Sequence, residues 1–152
     1  MLKFFVFLMA AAGLLLGARY AFERGFMPAA TSTFPANPTY SYNNTSESMI
    51  FITSPKPGDN MTSTVIIKGF ALGAWYFEGV FPVVVENDTG MEIAEGQGKA
   101  NGDWTSQGFV PFTAEVDVKA PYTGNATVVL KKDNASGDPS HDASVSFPVI
   151  FQ

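Results

Sequence analysis

The chain has 152 residues, with 46% hydrophobic and 15% charged, which excludes a disordered polymer and leaves material for one small domain. It has no cysteine and one histidine, so disulfides, thiolate nucleophiles, cysteine-based zinc sites and His–His metal pairs are excluded, and neither metal nor cofactor is expected. The formal charge is −5, and beyond Arg24 six lysines face thirteen acids; such a domain repels phosphate backbones, so nucleic acid is not an expected partner.

Residues 1–24 read as an address. One lysine precedes an unbroken apolar run from Phe4 to Ala18. As a helix that run covers roughly 22 Å, short of a ~30 Å hydrocarbon core. The length fits a signal peptide, yet Leu16-Gly17-Ala18 is a weak cleavage site, and Tyr20 to Phe22 could extend a retained anchor. Cleaved signal and membrane anchor stay open. Both place the rest of the chain outside the cytoplasm. Residues 25–48, with PAATSTFPANPTYSYNNTSES, are rich in Pro, Ser, Thr and Asn and read as a flexible linker.

From Met49 to the end, residues 49–152, the pattern has period two and is punctuated by turns. MIFIT is a first strand, and TVIIKGFA a second with Val65, Ile67 and Gly69 on one side. WYFEGVFPVVVE is a long third strand or a strand pair. Its parity puts Trp75, Phe77, Phe81, Val83 and Val85 on the core side. Asn87 to Gly90 is a tight turn. MEIAEGQGKA is a polar strand expected at an edge, with glycines and charges that discourage further pairing. In GFVPFTAEVDVKA, Val110, Phe112, Ala114, Val116 and Val118 point inward. ATVVLKKD and ASVSFPVIF complete seven strands, the last with Val145, Phe147, Val149 and Phe151 on one face. Pro82, Pro111 and Pro148 fall inside strands, so each should mark an edge, a bulge or a change of sheet.

Seven short strands with polar turns and no helical period beyond the N-terminal apolar helix predict an all-β, immunoglobulin-like antiparallel sandwich. A barrel is the alternative.

The stretch from Trp75 to Glu86 also raises a functional question, because Glu78 interrupts its aromatics. A carboxylate there must be exposed, or hydrogen-bonded if buried. We expect it to tie its strand to a neighbouring loop, through amides near Gly102 to Trp104 or through Lys131. Glu78 and Asp103 as a glycosidase pair would need one raised pKa and a cleft, which a small sandwich does not suggest. Trp104 and Tyr122 are candidate sugar-stacking rings, with a core plug as the plainer role of Trp104. Asp and Asn cluster in turns, where side-chain capping explains them better than calcium. His141 reads as a solvated loop residue. Six of the eight asparagines (43, 44, 60, 87, 125, 134) begin an N-x-S/T sequence, read as sugar sites or as turn chemistry.

GFALGAWYFEGVFPVVVENDTG, GDWTSQGFVPFTAEV, LKKDNASG and VSFPVIF, in that order, resemble the immunoglobulin-like domain associated with bacterial spore-germination proteins of the GerMN type. The opening SPKPGDNMTSTVIIKG is similar to that family's start, and the resemblance runs from Ile50 to Phe151. It implies a non-catalytic module of the cell envelope, with no catalytic residues to carry over. The matching motif positions are Trp75, Phe77, Glu78, Phe81, Pro82, Asp103, Trp104, Lys131, Asp133 and Asn134. Without a cysteine there is no lipid anchor, and without a partner domain a role in germination does not transfer. The expected partner is an envelope protein bound through sheet edges or loop ends, or alternatively a cell-wall glycan.

Overall fold

The computed structural model describes residues 38–152. The apolar segment, its expected helix and the first part of the linker lie outside the described residues. Among the described residues nine strands follow in order: β1 (Ser41–Asn43), β2 (Ile50–Ser54), β3 (Asn60–Met61), β4 (Thr64–Leu72), β5 (Val80–Asn87), β6 (Glu92–Ala100), β7 (Phe109–Asp117), β8 (Gly124–Lys131) and β9 (Ser144–Phe151). All seven expected strands are there. The two additions are short. β1 falls in the stretch read as linker, and its Tyr42 and the preceding Tyr40 pack against the core. β3 pairs parallel to β9, while β2, just before it, pairs antiparallel to β4. The first strand region is thus divided between two layers.

The strands form one sheet in the order β1-β9-β8-β5-β6-β7-β4-β2, with β3 also on β9. No ladder joins its two ends, so it is a curled, open, immunoglobulin-like sheet and not a closed barrel. Its inward faces enclose a single core with Trp75, Phe81, Phe112 and Phe147 as its largest fully buried side chains. The alternation read from β7 and β9 holds at every inward position named above.

The sheet turns the corner at β6. This strand pairs with β5 along its length and with β7 from Gln97 to Ala100. It therefore sits in the middle of the strand order, which corrects the expectation of an edge. Only its Glu92–Gly96 half lacks a second neighbour. Its glycines also have a different reason from edge protection. Phe81 stands directly opposite Gly98, and a Cβ on Gly98 would overlap the Phe81 ring. The ring meets Phe112 of β7 edge-on, with centroids 5.0 Å apart. Phe112 in turn stands opposite Gly69 of β4, where a Cβ would come within 2.8 Å of its ring. Two aromatic rings each lie over a cross-strand glycine, a pairing that fills the gap glycine leaves and lets the strands bend.

The prolines sit where the missing N–H costs no ladder bond. The Pro148 carbonyl accepts from the Gly58 amide at 2.8 Å, so its ring nitrogen faces away from β8. That side of β9 is the gap between β1, which ends its pairing at Ser146, and β3, which begins at Ile150. The Pro111 carbonyl accepts from Asn101 at 2.7 Å, one residue past the point where the β6–β7 ladder stops at Phe112. Both fit the expectation that strand prolines lie at ladder margins. Pro82 precedes the β5–β8 ladder, which starts at Val83.

Gly98→Ala tests the corner. Overpacking against Phe81 should destabilise the fold by about 1–3 kcal/mol, read as a lower midpoint in urea unfolding at unchanged slope.

Candidate functional site

Three loops meet at one end of the sandwich: 73–79, 101–108 and 132–143. The Asp133 amide donates to the Trp75 carbonyl at 3.1 Å, and the Ala100 amide to the Gly79 carbonyl at 2.8 Å. Trp104 lies against Gly73 and Gly79. Of the two alternatives for the stretch from Trp75 onward, one long strand or a strand pair, the structure has a short antiparallel pair, which overturns the single-strand parity. Gly73–Trp75 is a single 3-10 turn, and a two-residue hairpin then reverses the chain at Glu78 and Gly79. Phe77 and Val80 exchange both backbone hydrogen bonds, at 2.9 and 3.1 Å. Glu78 has φ 51° and Gly79 φ 80°, the double positive φ of a type I′ hairpin turn.

This turn resets the side-chain parity. Phe77 now pairs with Val80, and Tyr76 with Phe81 on the core side. Trp75 is fully buried, edge-on to Phe81 at 6.3 Å, and Tyr76 is buried with its ring 5.4 Å from Phe81. Phe77, expected inward, is 49% exposed. The Tyr76 hydroxyl donates to the Val110 carbonyl at 3.0 Å, fastening this end to β7.

Glu78 is exposed at the tip of the hairpin, and among the described residues no hydrogen bond or ion pair engages its carboxylate. The expected tie to a neighbouring loop is therefore absent. The loops are joined instead by the backbone bonds from Asp133 and Ala100 and by Trp104. A Cβ on Gly79 would lie 3.1 Å from the indole, so the Trp104 ring covers the glycine and is itself half-buried. Trp104 plugs this end.

Asp103 is also exposed. Its carboxylate accepts from the Thr105 hydroxyl at 2.6 Å and the Thr105 amide at 3.0 Å, and these bonds hold it below the usual carboxylate range. That is opposite to what a general acid requires. Asn134 donates to the Asp138 carbonyl (2.8 Å) and to Asp142 Oδ1 (2.7 Å), closing the 134–142 loop on itself. The Ser136 hydroxyl donates to Asn134 Oδ1 at 2.6 Å, although His141 Nδ1 lies 3.2 Å from it. Asn87 Oδ1 accepts from the Thr89 amide and hydroxyl and from the Met91 amide. At Asn87 and Asn134, then, the N-x-S/T pattern serves turn geometry.

Pro82 and Lys131 line one shallow depression on the outer face with Asn43 and Asp142. Tyr122 lies at the opposite end of the sandwich, beside the Gly124–Phe151 pair. Its hydroxyl donates to the Asn125 carbonyl at 2.6 Å and its ring meets Phe151 at 5.8 Å. Trp104 and Tyr122 cannot share a ligand. The outward cluster of Phe51, Phe70 and Phe109 was not expected from the sequence, although Phe51 and Phe70 each sit between inward neighbours and Phe109 precedes inward Val110.

The family model described as the immunoglobulin-like domain of bacterial spore germination matches residues 49–138, more than half of the chain. The chain belongs to that family. No curated protein and no solved structure matches it. The matched region contains the hairpin, Trp104 and the first half of the 132–143 loop. β9 lies beyond it but is hydrogen-bonded along β8 in the same sheet. Immunoglobulin-like domains of this kind are generally non-catalytic.

Two outcomes are expected. Glu78→Asn creates the Asn-Gly pair that a type I′ turn favours and should stabilise the fold by about 0.5–1 kcal/mol in urea unfolding; a carboxylate with a structural tie would give a loss instead. Burial pushes the Tyr76 phenol up to about 12. Burial does the same to Tyr40, also to about 12, helped by Tyr42, Asp59 and Glu47. The unfolded chain loses these protons near pH ~10, so the stabilisation is complete below that and is lost as pH rises through about 12. Tyr76→Phe should be about 1 kcal/mol less stable at neutral pH, with a shallower loss of urea midpoint between about pH 10 and 12.

Proposed function

We propose that the domain is a non-catalytic protein-binding module that works outside the cytoplasmic membrane, delivered or tethered there by the apolar N-terminal segment. The observation that carries this reading is the Phe77 hairpin. A half-exposed aromatic ring is held outward at the base of a two-residue turn, beside a free carboxylate, and the Trp104 indole packs on the Gly79 of that turn. Aromatic anchors on rigid turns suit protein recognition, because little freedom is lost on binding. The sheet edges support strand addition less. β1 and β3 cover parts of the outer side of β9. β2 carries a register shift between Ile52 and Ser54, and the Tyr40 hydroxyl reaches the Pro55 carbonyl at 3.1 Å. Glycan binding has weaker support, since Trp104 spends one side on Gly79 and Tyr122 spends its hydroxyl on Asn125. A germination role is not part of this proposal.

A photo-crosslinking residue at position 77, in the full chain on intact cells of the source organism, should give a discrete protein adduct. The same residue at Lys119, in the β7–β8 turn at the opposite end of the domain, should not. Adducts of equal pattern from both positions, or from neither, would sink the loop-end reading.

A further inference from the structure

The outer face of β2, β4, β7 and β6 carries a pattern independent of the Phe77 hairpin. Strand register arranges its side chains in rows. Phe51 stands opposite Phe70 and Phe70 opposite Pro111, with Leu72 opposite Phe109 in the row above. The Phe51 and Phe70 rings stack at 5.2 Å, and Phe109 meets Phe51 edge-on at 5.1 Å. All three point away from the core, because Ile50, Ile52, Ala71, Val110 and Phe112 fill the inward positions. Phe109 is 42% exposed. The next row is cationic. Lys68 and Lys99 both stand opposite Thr113, one on each side of it. Both lysines are exposed, and among the described residues neither ammonium group makes an ion pair or a hydrogen bond.

A solvated sheet face ordinarily carries polar side chains, and clustered outward aromatics mark a surface that meets a partner. Here the cluster adjoins two unpaired positive charges on a chain of net charge −5. Strands lie ~4.8 Å apart, so the two lysines flank a slot about 10 Å wide between Cα positions. Lys68 and Phe70 are two residues apart on one face, roughly 7 Å along the strand.

We propose that this face docks an extended peptide segment carrying a carboxylate two residues from an aromatic or large aliphatic side chain. The carboxylate sits between Lys68 and Lys99. The apolar side chain covers Phe51, Phe70 and Phe109. An extended ligand repeats its side chains at the same ~7 Å interval, so one strand-like segment satisfies both rows. Charge complementarity sets the register and excludes basic segments.

The test uses the full-length chain in non-ionic detergent and a fluorescent peptide of sequence Ser-Glu-Thr-Phe-Thr-Glu-Ser, followed by anisotropy. Saturable binding is expected. It should weaken at least about fivefold when the peptide's glutamates become lysines, when its phenylalanine becomes serine, or in Lys68→Glu and Phe70→Ser proteins. Lys68→Glu should regain binding to the lysine peptide, which keeps the test valid should Phe70→Ser not fold. Phe77→Ser should leave the peptide affinity unchanged, separating this face from the hairpin. No binding, equal binding of both peptides, or binding lost equally in Phe77→Ser would overturn the proposal. So would binding to phosphatidylglycerol vesicles that depends on Lys68 and Lys99 when the peptide does not bind.

Discussion

The fold depends on one aromatic ring placed where a neighbouring strand has no side chain. Phe81 lies over Gly98 and reaches Trp75, Tyr76 and Phe112. Through these contacts it joins β5, the 3-10 turn before the hairpin and β7 on the opposite layer. A sheet of this many strands must curl to enclose a core, and curling brings backbones together at the bend. Glycine at the bend and a large ring across from it meet both needs. The absence of disulfides gives this packing more weight, since no covalent link holds the layers.

The same ring sets the geometry of the loop end. With Phe81 and Tyr76 both turned inward across the hairpin, Phe77 has to face solvent. Trp104 then seats against Gly73 and Gly79, and the Asp133 amide closes on the Trp75 carbonyl. Core packing and surface presentation are thus two sides of one turn. An aromatic held in this way keeps its orientation without a partner, which is what a preformed recognition surface requires. The carboxylates around it are spent on turns or left free in solvent, and none is placed as an acid–base pair would demand.

Much of this was legible in the residues. The period-two alternation of β7 and β9 marked their inward faces correctly because each strand has one buried side and one wet side. The turn residues at Asn87–Gly90 announced their own chemistry. Three features were hidden. The position of β6 could not be read, because glycines and charges serve an edge and a bend equally well. A strand pair was one of two readings of the Trp75–Glu86 stretch, but the place of its turn was masked by an aromatic run that continues through Glu78, and glutamate is an uncommon residue at positive φ. The tie expected for Glu78 failed for the same reason: a residue at a hairpin tip has solvent on most sides and needs no partner. The outward phenylalanines were visible by parity, but their clustering depends on which strands are neighbours.

The sequence by itself determined the class of this protein: an all-β immunoglobulin-like domain of a spore-germination-associated family, with seven of its nine strands and most of its core. Local alternation and turn chemistry suffice for that, since they act within a few residues. Only the tertiary structure decided that Phe77 faces outward, that Glu78 stands free, and that Phe51, Phe70 and Phe109 share a face with Lys68 and Lys99. Those facts depend on strand order and register, which are set by contacts between residues distant in the chain.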